Sequence, residues 1–359
     1  MKIKVGEITK IKTGKLDANA ASADGEYPFF TCSKDPLKID TYSYDCECVL
    51  VAGNGDLNVK YYNGKFDAYQ RTYIIENNSN GLLYMPYLYY FLEGYIEELR
   101  KQSIGGVIKY IKIGNLTEAS IELPPIEEQK YIVHLMNISS ELIELRKKTI
   151  DKLNWLIKAR FVEMFGNVPE EERVTIAEIC KIITDGTHQP PKFTNTGIPF
   201  LFVSNIITNE ICYDAEKFIS EETYTELIKR TPIEIGDILL STVGSYGHPA
   251  IVKTDRRFCF QRHIAYLKPK SDMVNSEYLR GAILSDNVQR QIDERVKGIA
   301  QKTLNLAEIR KIRLPLPPLK LQEQFADFVK QVDKSKLAVQ KSLEKTQQLF
   351  DSLMQEYFG

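Results

Sequence analysis

The feature that most constrains this chain is a long duplication. A Leu-Pro-Pro motif opens at Leu123 and again at Leu316, and a Phe-Gly pair closes the following segment at Phe165 and again at Phe358. The two copies have the same spacing at both ends (316 − 123 and 358 − 165 both equal 193). Each copy follows a strand-rich segment that is punctuated by glycines. We therefore predict the order globule, helix, globule, helix.

The duplication divides the chain into four segments. With 359 residues, the chain is long for one domain and comfortable for two. We predict a first globular head (head 1) over residues 1–122, a first spacer helix over 123–166, a second head (head 2) over 167–315, and a second spacer helix over 316–359. Double prolines set an extended entry to each helix, and the glycine after it suits a C-terminal cap. The predicted fold class is α/β (α+β), with two similar strand-rich heads.

The two helical segments have coiled-coil spacing. Residues 126–165 alone would form a rod of roughly 60 Å at about 1.5 Å per residue. Apolar residues recur at seven-residue intervals, and the candidate seam positions are Leu135, Leu142, Leu145, Leu156, Val332, Val339, Leu343 and Leu353. A lone rod with such a stripe is marginal in water, so the simplest partner is the other helix of the chain. Packing of each helix on its own head is the alternative, but three or four turns would be enough for that.

The heads repeat each other in order, with one difference in spacing. Tyr27-Pro-Phe-Phe is matched by Ile198-Pro-Phe-Leu at an offset of 171 residues (198 − 27), and Gln70-Arg is matched by Gln261-Arg at an offset of 191 (261 − 70). The second head therefore carries an insertion of about 20 residues between these motifs. A shared scaffold with a different middle stretch suits two heads that have one task and two targets.

Local patterns in head 1 predict three elements. Residues 48–52 form an apolar run that predicts a buried strand leading into the Gly-rich turn at Asn54. The Asn63-Gly64 pair between aromatic residues predicts a hairpin turn. Residues 85–101 predict a helix, because Leu88, Phe91, Leu92, Tyr95 and Leu99 fall on one face.

The composition is that of an ordinary soluble globular protein, with 43% hydrophobic and 26% charged residues. No apolar run approaches the roughly 18 residues of a membrane span, and the N-terminus lacks the apolar core of a signal peptide. We therefore expect a cytoplasmic protein that does not associate with a membrane and whose six cysteines are reduced. The net charge of −1 argues mildly against a free-standing nucleic-acid binder, although acidic helices can balance a basic groove.

Motifs for catalysis are missing from the sequence. It has no Gly-rich loop followed by Lys-Ser or Lys-Thr for a nucleotide. An amino-methyltransferase needs an Asn/Asp-Pro-Pro-aromatic loop, and the Pro-Pro strings at 189–192 and 123–126 lack both the flanking amide or acid and the aromatic residue. Cys46-Glu47-Cys48 has no second pair at zinc spacing. We predict no catalytic residue, no metal site and no directly bound cofactor.

The positive signals are binding signals. A Gln-Arg pair stands at the start of an apolar strand in each head, and Arg can read guanine while Gln can read adenine. The alternative, a hydrogen bond or salt bridge at the strand end, has nearly equal weight. Two polar loops of head 2, at 184–191 and 244–248, and lysines after the glycine turns at 105–106 and 298 add candidates for DNA contact. Plain turns and solvated lysines are their alternatives. The candidates are Asn54, Gln70, Arg71, Lys109, Thr187, His188, Ser245, Tyr246, Gln261, Arg262, His263 and Lys302.

The duplicated set of motifs resembles the DNA-specificity subunit of type I restriction–modification systems. The resemblance rests on Leu-Pro-Pro followed by Gln at 123–129 and 316–324, and on the Phe-Gly helix ends. The strings at 185–188 and 236–239, the Gln-Arg pairs and Asn305-Leu306 extend it over the whole chain. Head 1 departs from the pattern, because it has no clean match to Asp185-Gly-Thr-His.

The resemblance implies a division of labour between subunits. Each head would be a target-recognition domain that reads one half of a bipartite target in double-stranded DNA. The two helices would form an antiparallel coiled coil that relates the heads by a pseudo-two-fold axis and docks two modification subunits. Adenine methylation with S-adenosylmethionine would belong to those subunits. Restriction with ATP and Mg²⁺ would belong to a motor-nuclease subunit, and this chain would be non-catalytic by itself.

Two other functions are compatible with the residues. In a bivalent protein-binding scaffold, the heads would grip proteins instead of DNA, and the near-neutral charge slightly favours this reading. A steep fall of affinity with salt would distinguish the two, because phosphate contacts release counterions. A fragment of a combined restriction–modification enzyme is a third reading, which the direct start of head 1 at Met1 makes less favoured.

Overall fold

The computed structural model describes residues 2–169, 172–298 and 302–359 and divides into two compact units. Unit 1 contains the residues up to Lys147 together with Gln340–Gly359, and unit 2 is Lys148–Val339. The division passes through both long helices, so each unit combines one head with parts of both helices. The predicted boundaries at residues 122, 166 and 315 separate heads from helices and not compact units, so they stay a prediction.

Unit 1 mixes short helices with strands ahead of its long helix. In chain order the elements are β1 (Lys2–Lys4), α1 (Val5–Ile8), β2 (Thr9–Thr13), β3 (Tyr27–Phe30), β4 (Leu37–Ile39), β5 (Tyr44–Ala52), β6 (Val59–Ala68), β7 (Thr72–Asn77), α2 (Met85–Gly94), α3 (Ile96–Gln102), α4 (Ile113–Thr117), β8 (Ser120–Glu122) and α5 (Ile126–Phe165).

A six-stranded sheet with the order β2-β7-β5-β6-β3-β4 forms the centre of unit 1. Successive side chains of a strand point to opposite faces. Cys48 and Leu50 of β5 therefore enter one apolar cluster, and Val49 and Val51 enter another. Both faces of β5 are buried, which confirms the strand predicted at 48–52. β1 pairs with β8 and ties the start of the head to the segment that leads into α5.

Unit 2 repeats this composition. Its elements are β9 (Arg173–Thr175), α6 (Ile176–Ile179), β10 (Cys180–Asp185), β11 (Ile198–Leu201), β12 (Lys217–Ile219), α7 (Glu221–Leu227), β13 (Ile238–Ser241), β14 (Pro249–Ile251), β15 (Cys259–Phe260), β16 (Ile264–Pro269), α8 (Ser276–Ile283), α9 (Asp286–Arg295), α10 (Leu306–Lys311), β17 (Arg313–Pro315) and α11 (Leu319–Phe358), whose C-terminal part belongs to unit 1. The mixed, strand-rich heads and the long helices confirm the predicted fold class.

The two heads share a strand order and differ in one strand. The order β2-β7-β5 in head 1 corresponds to β10-β16-β13 in head 2, and β3-β4 corresponds to β11-β12. In head 1, the ten-residue β6 pairs with both β5 and β3, which makes one sheet. In head 2, β14 pairs with β13 and β15 pairs with β11, which makes two sheets. The interruption lies inside the stretch where the offsets predicted an insertion.

The predicted helix at 85–101 is present as two helices. α2 ends at Gly94, and α3 begins at Ile96. Leu88, Phe91, Leu92 and Leu99 are all buried, which confirms the predicted apolar face. The break is placed at Tyr95, whose backbone N–H donates to Phe91 O.

The hairpin turn predicted at Asn63-Gly64 is wrong. Both residues lie inside β6, where Asn63 pairs with Glu47 and Gly64 pairs with Cys46. Since the register places Val51 opposite Val59, the turn between β5 and β6 falls in the intervening segment instead. The long antiparallel pairing overrides the local turn preference of Asn-Gly.

The long helices α5 and α11 contain 40 residues each and contact each other within unit 1. The Arg146 guanidinium of α5 donates to Thr346 Oγ1 of α11. Nearer the start of α5, Ile132 and Met136 share an apolar cluster with Leu353 and neighbouring residues at the end of α11. Early residues of α5 therefore meet late residues of α11.

The same arrangement holds within unit 2. Lys336 Nζ donates to Asn154 Oδ1 at 3.1 Å, and the rings of Phe161 and Phe325 meet edge to face with centroids 5.4 Å apart. Later residues of α5 therefore meet earlier residues of α11, so the two helices run antiparallel. The predicted antiparallel coiled-coil pairing is confirmed inside each unit.

The predicted coiled-coil register is correct for α11 and displaced for α5. Val332 is buried and Val339, Leu343 and Leu353 are half-buried. Leu135 of α5 is half-buried, but Leu142, Leu145 and Leu156 are 37%, 60% and 42% exposed. The covered row of α5 is instead Ile132, Met136, Ser139, Ile143, Arg146, Ile150, Leu153, Ile157 and Phe161. Because α5 is apolar on two sides, seven-residue spacing alone did not identify the row that meets α11.

None of the six cysteines forms a disulfide. Cys48, Cys180 and Cys259 are buried as small apolar side chains, and burial raises the pKa of the Cys180 and Cys259 thiols to about 12. Within the described ranges, the structure contains no helix with the combined length and apolar character that a bilayer crossing demands.

A buried glutamine locks the start of each long helix to its head. Gln129 Nε2 donates to Leu82 O at 2.8 Å and to Pro124 O at 2.9 Å, and its Oε1 accepts from Tyr84 N at 2.9 Å. Gln322 repeats the pattern with the corresponding groups of unit 2, which are Met273 O, Pro317 O and Asn275 N. Both glutamines are 0% exposed. The glutamine in the duplicated Leu-Pro-Pro motif is therefore a clamp between helix and head.

We expect Gln129→Ala and Gln322→Ala each to lower the free energy of unfolding by about 1–3 kcal/mol, because buried main-chain groups lose their partners. Gln129→Glu retains the volume but sets a carboxylate against two carbonyl oxygens, so it should destabilise at least as much. Denaturant titration followed by circular dichroism measures the change. The exposed Gln324 lies on the same helix, and Gln324→Ala should change stability by less than about 0.5 kcal/mol. Equal effects of Gln322→Ala and Gln324→Ala would contradict the clamp.

Candidate nucleic-acid interface

Main-chain hydrogen bonds gather the candidate residues of head 1 into one set of adjacent loops. Three bonds and one bridge define this loop frame: Gly53 N to Arg71 O (2.8 Å), Ile111 N to Gly53 O (2.9 Å), Gly55 N to Lys109 O (3.0 Å), and the β-bridge between Asn54 and Tyr110. The frame places Asn54, Arg71 and Lys109 side by side. Three segments that are distant in sequence thus present their side chains together.

Head 2 contains the same frame. Its members are Thr242 N to His263 O (3.0 Å), Leu304 N to Thr242 O (2.8 Å), Gly244 N to Lys302 O (3.0 Å), and the β-bridge between Val243 and Thr303. Gly55 and Gly244 have φ values of 70° and 71°, a conformation that favours glycine. The frame matches Lys109 with Lys302, as the sequence predicted. Residues 299–301, which precede Lys302, lie outside the described residues.

A second contact brings another loop to each frame. Gly14 N donates to Thr72 O in head 1, and Gly186 N donates to Ile264 O in head 2. A Cβ atom at either glycine would lie 2.2 Å from a carbonyl oxygen, so only glycine permits this approach. The residues that follow bridge the start of the next segment, Leu16 to Tyr69 and Thr187 to Gln261.

This contact supplies the match that the sequence did not show in head 1. Thr13-Gly14 at the end of β2 corresponds to Asp185-Gly186 at the end of β10, because their strand partners Tyr73 and Ala265 correspond. Lys15 is an additional, exposed residue between Gly14 and Leu16. Sequence reasoning missed it, because the only signal was a single glycine after a short strand.

The register of the Gln-Arg pairs differs from the prediction by one residue. Arg71 O and His263 O hold the same place in the two frames. Gln70 N donates to Leu16 O, just as Arg262 N donates to Thr187 O. Gln70 therefore matches Arg262, and Arg71 matches His263. The repeated Gln-Arg letters had suggested the pairing of Gln70 with Gln261, which is wrong.

The candidates differ in how their side chains are presented. Gln70, Arg71, Lys109, His188, Ser245, Arg262 and Lys302 are exposed, and Asn54, Thr187, Tyr246, Gln261 and His263 are half-buried. Tyr246 packs against the apolar cluster of unit 2, and its hydroxyl donates to Asp293 at 2.9 Å. Its position suits an anchor for the loop, while Ser245 beside it faces solvent.

In head 2 the loops border an open cavity of about 430 Å³. Asp185 and His188 line it from one segment, Arg262 and His263 from a second, Thr242 and Val243 from a third, and the residues from Thr303 to Leu306 from a fourth. One guanidinium, two imidazoles and one carboxylate thus meet in a polar recess at the predicted site. Within the described ranges, no group of three or more His, Cys, Asp or Glu side chains is placed to hold a metal ion.

Arg230 is a site residue that sequence reasoning did not find. Its guanidinium pairs with Asp185, whose side chain is only 14% exposed, and His188 Nε2 lies 3.0 Å from the other carboxylate oxygen. Asp185 is thereby held between two basic groups at the end of β10. Arg230 follows α7, inside the insertion, and no motif linked it to the loop 45 residues earlier.

Three of the four histidines of the chain lie in these loops of head 2. Burial lowers the pKa of His263 below its ordinary value of 6.5, and the Arg262 guanidinium lowers the pKa further. His263 Nε2 accepts from Arg262 Nε at 3.3 Å, which requires the neutral imidazole. Burial also lowers the pKa of His248, whose Nε2 lies 3.2 Å from Ser245 Oγ. The fixed positive charge at this site therefore comes from arginine and lysine.

The chain belongs to the family described as "Type I restriction modification DNA specificity domain", which it matches over residues 1–154 and 170–349. The resemblance inferred from the duplicated motifs is confirmed. Each matching region covers one head and part of the long helix that follows it, as expected from two copies of one scaffold.

Individual relatives agree with the family. The chain is 40% identical over 156 residues to the Escherichia coli "Type I restriction enzyme EcoDI specificity subunit", a match that covers 44% of this chain and 34% of that protein. It is 22% identical over 363 residues to the MjaVIII specificity subunit of Methanocaldococcus jannaschii, covering 92% of this chain and 85% of that one. The first match thus spans about a third of its relative.

A solved structure shares the fold. The S subunit of a type I restriction–modification system from M. genitalium matches 100% of this chain and 96% of its own length with a TM-score of 0.64, at 17% sequence identity. This likeness concerns the fold alone.

We expect stability to fall more steeply with acid in the wild type than in His263→Gln. A folded-state pKa below the unfolded value means that the unfolded chain binds the proton more tightly. The stabilisation is therefore present above about pH 6.5 and is lost as the pH falls through the folded-state pKa. Thermal midpoints at about pH 8 and about pH 5 measure the effect. The exposed His134 provides the control variant His134→Gln. Identical pH dependence of the wild type and His263→Gln would contradict the burial effect.

Proposed function

We propose that this chain selects the DNA sequence for a type I restriction–modification complex, with one half of a bipartite target read by each head. The observation that carries this proposal is the repeated loop frame, in which the same main-chain bonds present different side chains in the two heads. Family membership supports DNA as the ligand. Two readers of similar build and different surface chemistry suit an asymmetric, split target.

The chemistry of the loops suits DNA. Arg71 belongs to the frame that holds Lys109, and Arg262 directly precedes His263 in the frame that holds Lys302. Both arginines are exposed. Arginine offers a bidentate pair of donors to guanine in the major groove, and lysine offers a point charge to phosphate. The net charge of −1 for the whole chain does not oppose this, because acidic residues elsewhere in the two heads offset the local cations of the loops. The two long helices are nearly neutral, with 13 basic and 12 acidic residues, so the acidic helices expected from the sequence are not the source of this balance.

We propose that catalysis belongs to partner subunits. The sequence has no loop for nucleotide binding or amino-methylation, so S-adenosylmethionine would bind the modification subunits, while ATP and Mg²⁺ would bind the restriction subunit. The chain itself would hold no cofactor and would act only by positioning its partners on DNA.

Apolar surface on α5 supports docking of two modification subunits, one on each unit. In unit 1, Tyr131, Ile138, Leu142 and Leu145 are exposed on one flank of the helix beside the covered row. In unit 2, Trp155 and Val162 are 69% and 57% exposed on the other flank of the helix. Exposed apolar groups of this size on one helix face are typical of protein interfaces.

A bivalent protein scaffold is the competing function. It would use the same heads without phosphate contacts, so its affinity would depend only weakly on salt. The logarithm of DNA affinity would instead fall in proportion to the logarithm of salt concentration, with a slope of about −0.9 for each phosphate contacted.

The decisive experiment is genome-wide mapping of adenine methylation in a host that expresses a type I modification subunit with and without this chain. A split motif that appears only with the chain supports the proposal and gives both half-sites. No chain-dependent motif, from a modification subunit that is active with another specificity subunit, would overturn it in favour of the scaffold.

We expect Arg71→Ala and Arg262→Ala each to relax only one half of that motif. Loss of a bidentate guanine contact costs about 1–3 kcal/mol of discrimination. The unaffected half of the motif is the internal control in each variant. Retention of both halves, with unchanged affinity, would contradict the assignment of these arginines without contradicting the family.

We expect Leu145→Glu and Trp155→Glu each to weaken binding of the modification subunit. Burial of a large apolar side chain contributes about 1.5–3 kcal/mol, so the Kd should rise roughly 10- to 100-fold. Titration calorimetry with the purified subunit measures this. Lys147→Ala, an exposed position on another face of α5, is the control. Unchanged Kd values for both glutamate variants would place the docking surface elsewhere.

A further inference from the structure

We propose that three backbone-matched pairs of side chains determine which bases each head reads, while one matched lysine binds a backbone phosphate in both heads. The reading pairs are Asn54 and Val243, Gln70 and Arg262, and Arg71 and His263; the phosphate pair is Lys109 and Lys302. This inference rests on the proposed function and deepens it, because it names the positions that set the sequence.

The first step of the argument is that the frame uses only main-chain atoms of these residues. Arg71 O and His263 O accept the bonds that close the two frames, and Gln70 N and Arg262 N donate equivalent bonds to the neighbouring loop. Asn54 and Val243 take part through equivalent β-bridges. The backbone contacts would persist with other side chains, so folding does not dictate which residue stands at these positions.

The second step is the contrast with positions that folding does dictate. Gly55 and Gly244 share a positive φ, and Gly14 and Gly186 share a contact that excludes any Cβ. Where geometry fixes the residue, the two heads agree. At the three reading pairs, where geometry leaves the side chain open, they differ. Two heads that share a frame and read different sequences need such positions.

The third step concerns presentation. The side chains of Gln70 and Arg71 are exposed, and the described residues offer them no hydrogen bond or ion pair. In head 2, Arg262 is exposed and lines the cavity, and its Nε donates to the neutral ring of His263. Among the described residues, no hydrogen bond occupies its terminal amino groups. Gln is suited to adenine and Arg to guanine. The order Gln-Arg in head 1 therefore becomes Arg-His in head 2 at the same two places.

The lysine pair behaves differently from the reading pairs. Lys109 and Lys302 are identical, exposed, and held by the same bond from a positive-φ glycine. A residue that is the same in both heads cannot distinguish two half-sites. A flexible ammonium at the edge of a reading surface is suited to a phosphate, which every DNA sequence offers at the same spacing.

A reciprocal graft tests two of the three reading pairs, Gln70 with Arg262 and Arg71 with His263, in the full chain with its modification subunits. Gln70→Arg with Arg71→His gives head 1 the pair of head 2, and Arg262→Gln with His263→Arg gives head 2 the pair of head 1. Methylation mapping is the readout. We expect each graft to change one half of the motif and leave the other half intact, and Gln70→Arg alone to replace an adenine by a guanine in its half.

The outcomes separate this inference from the proposed function. An unchanged motif with full methylation from both grafts overturns the inference while the proposed function stands. Absence of a motif with the unmodified chain overturns the proposed function itself. If a graft abolishes methylation, its two single substitutions are tested separately. The thermal midpoint of each protein shows whether it is folded. If a folded single variant loses methylation only at sites that share one half of the motif, the inference is supported. If the lost sites share no half of the motif, the inference is overturned.

The lysines are tested by salt dependence. Lys109→Ala and Lys302→Ala should leave the motif unchanged and lower DNA affinity, and each should reduce the slope of log affinity against log salt by about 0.9. The helix-surface lysines Lys101 and Lys311, which pair with glutamates three residues earlier, give the controls Lys101→Ala and Lys311→Ala. A changed motif, or a slope equal to that of the controls, overturns the phosphate assignment.

Discussion

The clamp made by Gln129 and Gln322 is the interaction on which the arrangement of each unit depends. A head made of strands and a helix made of 40 residues have no common hydrogen-bonding pattern, and the chain enters the helix through two prolines that cannot donate. The glutamine amide supplies what is missing, since its two donors and one acceptor meet main-chain groups from the head and the entry segment. Because the same bonds occur in both units, the direction in which each helix leaves its head is set twice by one device.

The heads illustrate how a duplicated fold can separate stability from recognition. Main-chain hydrogen bonds hold the recognition loops, at positions where some residues must be glycine. The side chains at the loop tips contribute little to the fold. The insertion in head 2 adds to this surface, since it brings Arg230 to Asp185 beside the loop that carries His188. Recognition chemistry can therefore change without loss of the frame.

Most of the fold could be predicted from the sequence, because duplication and periodicity are properties of spacing. The buried strand at 48–52 and the two long helices followed from such patterns. The row of α5 that meets α11 did not, since Leu142 and Ile143 both belong to heptad rows and only packing distinguishes them. Asn63-Gly64 failed because a nine-residue strand pairs across it. In the candidate site, the repeated Gln-Arg sequence aligned Gln70 with Gln261, whereas the main-chain hydrogen bonds align Gln70 with Arg262. No local sequence pattern could link Arg230 to Asp185.

The strand that is continuous in head 1 and divided in head 2 has a consequence for cooperativity. In head 1, β6 pairs with both β5 and β3 and so joins the two halves of the sheet, which we expect to open together. In head 2, the three-stranded and four-stranded sheets can open separately. Gly186 and Thr187 lie across this boundary, since Thr187 N donates to Phe260 O at the end of β15 and Gly186 N donates to Ile264 O in β16. A ligand that binds this loop would therefore also link the two sheets of head 2. Its binding free energy would add to the free energy needed to separate these sheets.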